Sequence, residues 1–234
     1  MSREFKLEKD YYDEGYDLYE KETITINPGV TVLVGCNGTG KTTLMYQIKN
    51  QLKKENIPCI SFDNLHDGGS KAISSAAFFE DFGFVATAAC SSEGENIIMN
   101  ICNLSSRLGH FIRTGKDSGR ENRLEEAFTR LLKDDINEEK DIPNERWILL
   151  DAIDSGLSVD NIVEVKEDLF KTILEDYKDG KVYIIVSANE YEMARGEQCF
   201  DVHNGEYITF SDYKEYRDFI LLSRKWKDGR YEKK

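Results

Sequence analysis

The chain has 234 residues and a hydrophobic fraction of 40%, which suits one α/β domain that carries an insertion. Its net charge of −13 argues against a general nucleic-acid or anionic-membrane binder, because unspecific affinity for phosphate groups needs a basic face. The five cysteines form no CxxC pair, so we expect neither a zinc site nor a disulfide framework. No signal peptide and no apolar run of membrane-spanning length is visible, and we therefore expect a cytoplasmic protein.

The first elements in chain order are two short strands, predicted at Phe5–Leu7 and Thr23–Ile26. A tyrosine-rich, acidic segment lies between them. The turn signal Asn27-Pro28-Gly29 follows the second strand. This region therefore predicts a small antiparallel β portion at the N-terminus.

The sequence VTVLVGCNGTGKTT, residues 30–43, contains the phosphate-binding pattern G-x-x-x-x-G-K-[ST]. A β-branched apolar run precedes the glycines and a helical run follows them, which is the strand–loop–helix context that a P-loop needs. In such a loop, backbone N–H groups and the helix N-terminus face phosphate oxygens. We therefore predict binding of ATP, by Gly35, Cys36, Asn37, Gly38, Thr39, Gly40, Lys41, Thr42 and Thr43.

Particular side chains around this loop have separate predicted roles. Lys41 is expected to reach the β- and γ-phosphates, and the Thr42 hydroxyl is expected to ligate Mg²⁺. An aromatic ring from the preceding tyrosine-rich segment would stack on the adenine, and Tyr16 or Tyr19 is the candidate.

The middle of the chain is less regular. A strand is predicted at Ile57–Asp63, an exposed loop at 64–75, and a helix at Ile97–Leu104 with Ser91 or Ser92 as its N-cap. Residues 105–145 are interpreted as a charged, partly helical insertion, with the stretch 110–119 as a loop.

A second motif, Arg146–Asp151, is an apolar strand that ends in a carboxylate, as in a Walker B motif. A carboxylate at the tip of a strand beside the P-loop can hold the Mg²⁺ hydration shell, so Asp151 is the second predicted metal ligand. After it we predict a helix at 159–177, a buried strand at Val182–Val186, two late strands around Asn204-Gly205, and a terminal helix at Tyr213–Lys225.

The chain resembles the ABC-type ATPase superfamily, in particular SMC-like and RecF-like heads. The likeness rests on GCNGTGKTT and on ILLDAIDSGL, residues 148–157, which is similar to a Walker B motif joined to a D-loop. The resemblance implies one domain, residues 1–234, with an ABC-ATPase-like mixed sheet flanked by helices. It also implies a head-to-tail dimer that sandwiches ATP, in which Ser92, Gly94 and Glu95 of the signature-like SSEGE segment contact the partner's nucleotide.

The sequence departs from this family at the catalytic positions. Ala152 stands where the family has a catalytic Glu, and an alanine cannot accept a proton. Hydrolysis is therefore very slow, or Asp154 substitutes as the base, or an inactivating substitution is present; otherwise Asp154 is a surface or interface residue of the D-loop. The family's switch histidine is also missing, and Asn189 in that region can orient a water or phosphate but cannot act as a base.

The leading hypothesis is a stand-alone ABC/SMC-like ATPase with slow hydrolysis that regulates a partner, such as a nuclease or another DNA-processing protein. The alternatives are an ATP-dependent dimerisation switch without turnover, a transporter's ATP-binding subunit, or a P-loop kinase. Direct contact with nucleic acid stays open, because residues 224–234 are basic.

Overall fold

A computed structural model describes residues 2–12, 15–63, 93–117, 144–177 and 180–232, without the side chains of 93–102 and 231–232. The expectations for 64–75, for Ser91 and Ser92, and for most of the insertion lie outside the described residues. The strands are β1 (Arg3–Lys6), β2 (Thr23–Ile26), β3 (Gly29–Val34), β4 (Cys59–Asp63), β5 (Glu145–Asp151), β6 (Lys181–Ser187), β7 (Gln198–Asp201) and β8 (Glu206–Ile208). The helices are α1 (Lys41–Lys54), α2 (Glu93–Thr114), α3 (Val159–Glu164), α4 (Lys171–Asp176), α5 (Tyr191–Ala194) and α6 (Tyr213–Glu232), with a π-helical stretch (Val165–Phe170) between α3 and α4.

Six strands form the main sheet in the order β4-β5-β6-β3-β7-β8. The first five are parallel to their neighbours, and β8 pairs antiparallel with β7. Strands β1 and β2 form a separate antiparallel pair. The predicted α/β class, with a mixed sheet and an N-terminal antiparallel portion, is confirmed.

The sheet is buried on both faces, as the continuous apolar runs of its strands predict. In β3, Val32 and Val34 join a core cluster with α2, α3 and β5, whereas Leu33 joins a second cluster with α1, β1 and β2. The largest side chain of the second cluster is Trp147, which stacks on Tyr183 with ring centroids 4.0 Å apart. Because both faces of the sheet are covered, the ends of its strands are where a functional site has room.

Strand β5 is not the neighbour of β3, because β6 lies between them. The Walker B-like strand is thus one strand away from the P-loop strand, but because the three strands are parallel its end lies on the same side of the sheet as the P-loop. The carboxyl end of β6 and the residues that follow it therefore lie between the P-loop and Asp151.

Two helices are longer than the sequence suggested. Residues 110–114, interpreted as part of a loop, continue α2, because Leu104, Leu108, Phe111 and Ile112 repeat at helical spacing and are all buried. Helix α6 continues past Lys225 to Glu232, and its Arg230 is buried. In the part of the chain that the structure describes, no helix is both long enough and apolar enough to cross a membrane.

Candidate functional site

The P-loop lies between the end of β3 and the start of α1, and its glycines are required by its shape. Gly35, Gly38 and Gly40 have φ values of 146°, 85° and 103°, which side chains disfavour. A Cβ on Gly35 would also stand 2.7 Å from Thr39 Oγ1. That hydroxyl donates to the Cys36 carbonyl at 2.9 Å, which closes the loop on itself. The shape of the loop therefore favours glycine at these positions.

Lys41, the first residue of α1, is buried with its ammonium turned into the loop. Its Nζ donates to the Gly35 carbonyl at 2.7 Å and to Asn189 Oδ1 at 3.4 Å. Burial lowers the pKa of the Lys41 amine, and the nearby Cys36, Asp151 and Asp154 oppose that shift. The predicted residues Lys41, Asp151 and Asn189 thus lie close together at the carboxyl ends of the central strands.

Asp151 ends β5, and the last residue of β6 fixes its carboxylate. The Ser187 hydroxyl donates to Asp151 Oδ1 and accepts the Ala152 N–H at 3.1 Å. Ala152 itself has φ 52°, a left-handed conformation that is uncommon for a non-glycine residue. Ser187 therefore holds both the predicted metal ligand and the residue that replaces the expected catalytic Glu.

Thr42 and Asp151 supply oxygen groups of the kind that would hold a magnesium ion together with a nucleotide. The Thr42 side chain is exposed on the first turn of α1, and Asp151 is half-buried with Asp63 beside it in strand register. Among the described residues, no group of three or more His, Cys, Asp or Glu could hold a metal. Mg²⁺ commonly uses one or two protein oxygens together with phosphate oxygens and water, which is what this arrangement offers.

Asp154 is buried, at 1% exposure, contrary to the expectation of a surface residue of the D-loop. Its Oδ2 accepts the N–H groups of Asn189 and Glu190 at 2.6 and 2.7 Å. Its Oδ1 is buried and has no hydrogen-bond partner among the described residues. Because Asp154 fixes the backbone of Asn189, it supports the side chain that contacts Lys41.

The DSGL segment and the residues after β6 line an open pocket of about 420 Å³. Its lining comprises Asp154, Ser155, Gly156, Leu157, Ser158, Asn189 and Glu190. The pocket therefore joins the second sequence motif to the residues that contact the P-loop lysine. The tip of the P-loop, Asn37 and Gly38, is exposed as well.

Of the two tyrosines predicted to stack on the adenine, Tyr19 does not lie as expected, and the role of Tyr16 stays a prediction. Tyr19 is 1% exposed, and its hydroxyl donates to the Gly40 carbonyl at 3.1 Å, so its ring supports the loop and cannot stack on a bound base. Tyr16 is half-buried against the core. Tyr12 is 55% exposed, with its hydroxyl 3.0 Å from Thr43 Oγ1. An exposed aromatic ring beside the loop is therefore present, but at Tyr12.

The signature-like segment is described only in part. Gly94 and Glu95 lie in the first turn of α2, and Ser92 lies outside the described residues. The role of Ser92, Gly94 and Glu95 across a dimer stays a prediction.

Comparison with protein families finds a match to the AAA domain family over residues 25–193, more than half of the chain. The chain belongs to this family. It is a nucleotide-binding P-loop domain of the AAA type, in agreement with the loop and the sheet. No curated protein matches the chain.

Two residues of this AAA domain's site escaped the sequence analysis. Ser187 had a visible signal, because it is the first polar residue after the apolar run 182–186 at a strand end. Ser223, on α6, accepts the Cys36 N–H at 2.9 Å, and no local pattern pointed to it.

Replacing Asp154 with Asn should change how stability depends on pH. Burial raises the pKa of Asp154 in the folded state, so the folded chain binds that proton more tightly than the unfolded chain. The contribution of Asp154 to the free energy of unfolding of wild type is thus fully present below the unfolded pKa of about 4. It is lost as pH rises through the folded pKa. Urea unfolding should show Asp154→Asn gaining stability relative to wild type from about pH 4 toward neutrality.

Asp160 provides a control of opposite sign. The Ser158 hydroxyl lowers the pKa of this exposed carboxyl, so the stability that Asp160→Asn loses relative to wild type should be fully present above about pH 4 and should disappear as pH falls through the lowered folded pKa. A stability difference for Asp154→Asn that does not vary with pH would contradict the assignment.

Proposed function

We propose that this AAA domain is an ABC/SMC-like ATPase that binds MgATP, dimerises around it and regulates a partner protein, with slow hydrolysis. The observation that carries the proposal is the meeting of the P-loop, Lys41, Asn189 and Asp151 at one sheet edge, beside the pocket that the DSGL segment lines. A kinase reading leaves the DSGL segment without a role.

The phosphate-binding step follows from the loop. Backbone N–H groups of residues 35–43 would donate to phosphate oxygens, and Lys41 would exchange the Gly35 carbonyl for the β- and γ-phosphates. Thr42 and Asp151 would hold a magnesium ion, which supplies charge neutralisation at the phosphates. The hydrogen bond from Ser187 supports this role because it fixes the Asp151 carboxylate.

The site lacks the proton acceptor at position 152 that ATP hydrolysis would use. No proton acceptor stands at Ala152, and an amide such as Asn189 can orient a water molecule but cannot take its proton. The carboxylate of Asp154 is buried and holds two backbone N–H groups through one oxygen. This chemistry supports tight binding with slow turnover, and it also favours the alternative of an ATP-dependent switch that does not hydrolyse.

Dimerisation is supported by the exposure of the parts that a second copy would meet. Ser155, Gly156, Ser158 and Val159 are exposed next to the pocket, and Val159 is 62% exposed, which is high for an apolar side chain. In the proposed sandwich, this surface and the SSEGE segment of one chain approach the nucleotide of the other. A nuclease or other DNA-processing protein is the proposed partner, by analogy with the ABC/SMC resemblance.

The main test measures solution mass by light scattering, with and without MgATP, and free phosphate in the same samples. Wild type should be a monomer without nucleotide and a dimer with MgATP. The Lys41→Ala variant should bind no ATP and stay a monomer in both conditions. Phosphate release then separates a slow ATPase from a switch. Wild type that binds ATP at unchanged mass would overturn the sandwich.

Restoring the missing base should accelerate hydrolysis. Ala152→Glu places a carboxylate directly after Asp151 and should raise the rate of phosphate release by about 10²–10⁴-fold, the usual contribution of a general base. Both residues carry a Cβ, so the left-handed backbone at 152 adds little extra strain for Glu. The Ala152→Gln variant is the control of equal size without a base. Equal rates in the two variants would argue against water activation at this position.

Tyr12 is our candidate for stacking on the nucleobase. Tyr12→Ala should weaken ATP binding by about 1–3 kcal/mol, the range for an aromatic ring stacked on a base, while Tyr12→Phe keeps the ring and most of the affinity. Titration calorimetry measures both. A larger loss in Tyr16→Ala than in Tyr12→Ala, in folded protein, would return the assignment to Tyr16.

A further inference from the structure

The C-terminal helix α6 lies across the carboxyl ends of the central strands. Near its start, the Tyr216 hydroxyl donates to the Asn189 carbonyl at 2.9 Å, after the end of β6. Two turns later, Ser223 Oγ accepts the Cys36 N–H at 2.9 Å, at the beginning of the P-loop. The Ser223 side chain is buried, and its hydroxyl proton goes to the Ile220 carbonyl at 2.8 Å. The helix is thus attached to the P-loop backbone itself.

The far end of α6 is anchored as firmly. Trp226 stacks on His203, which follows β7, with ring centroids 5.1 Å apart. Arg230 is buried and donates to the Leu18 carbonyl at 2.7 Å, and its guanidinium also contacts His203 Nδ1 at 3.2 Å. Contacts on both sides of the P-loop therefore hold the intervening turn of α6 over it.

That turn carries Lys227, whose stem rests on the loop tip. A Cβ added to Gly38 would stand 3.2 Å from Lys227 Cδ, so this lysine packs where the loop has no side chain. The Lys227 side chain is 25% exposed, and Nζ lies 3.5 Å from its neighbour Asp228 at Oδ1. The ammonium is only two bonds beyond the Cδ atom that contacts the loop.

We propose that Lys227 is a second phosphate-binding cation, brought to the P-loop by α6, and that Ser223 is the residue that positions the helix for it. This inference rests on the proposed binding of ATP. Within this acidic chain, Lys41 has two carboxylates near it, Asp151 and Asp154, so a triphosphate gains from a further positive charge. The pair with Asp228 is a partly exposed one, and a lysine in such a pair exchanges readily for a stronger anionic partner.

The geometry gives Lys227 a role that Lys41 cannot fill. Lys41 extends into the loop from α1, whereas Lys227 approaches the loop tip at Gly38 from α6. A phosphate chain held in the loop would therefore meet a cation from each of two helices. The loop tip is also where a second chain would add its signature-like segment in the proposed sandwich.

Titration calorimetry with MgATP, compared across single variants, tests the proposal. Lys227→Ala should weaken binding about tenfold, as expected for loss of one charge-assisted contact, and Lys227→Arg should restore most of it. Lys225→Ala is the matched control, because it removes the same charge from an exposed position on the same helix and should change the affinity less than twofold. Ser223→Ala should weaken binding as Lys227→Ala does, and Ser223→Thr should retain it.

Melting temperatures without nucleotide separate binding from folding. Without nucleotide, Lys227→Ala should have the same melting temperature as wild type. With MgATP, its melting temperature should increase by less than that of wild type, which would not happen if the lysine were merely structural. Equal affinity for Lys227→Ala and Lys225→Ala would overturn the Lys227 assignment alone. Wild type that binds no MgATP would overturn the proposed function, and the Lys227 assignment with it.

Discussion

The buried ammonium of Lys41 is the contact on which the candidate site depends. Burying an amine costs free energy unless acceptors replace its water, and here the Gly35 carbonyl and Asn189 Oδ1 do so. Gly35 follows β3 and Asn189 follows β6, so one side chain joins two adjacent strand ends. The Lys41 ammonium is also a donor of the kind that a phosphate needs, and it already lies inside the loop.

A second buried ionisable side chain extends this arrangement to the DSGL segment. Asp154 holds the backbone of Asn189, and Asn189 contacts Lys41, which gives a continuous chain of hydrogen bonds from that segment to the P-loop. The cost is visible in Asp154 Oδ1, which is buried without a partner among the described residues. A displacement of the DSGL segment would therefore displace the acceptor of Lys41, so in the proposed dimer a contact at this segment would be transmitted to the phosphate-binding loop.

Sequence reasoning succeeded where the signal is local. The strand–glycine–helix pattern and the apolar strand ending at Asp151 are properties of short segments, and the structure has β3, α1 and β5 where these predict. It does not reach features that depend on strand order or on distant contacts. That β6 separates β3 from β5 is not written in any one segment, and the contact of Ser223 with Cys36 joins residues 187 positions apart. Helix α2 is a different case, because its apolar spacing was visible and the intervening polar residues were overweighted.

The residues predicted to bind the nucleotide differ from the residue expected to activate water, and only the latter is replaced by an inert side chain. The loop amides, Lys41, Thr42 and Asp151 need no proton transfer to hold a nucleotide, whereas hydrolysis needs an acceptor where Ala152 has a methyl group. The backbone at Ala152 keeps its left-handed conformation, and Ser187 holds its N–H, so the position is shaped although its side chain is inert. A site of this kind would bind ATP tightly and hydrolyse it slowly, which suits the proposed role in which the nucleotide joins two chains and a partner is regulated.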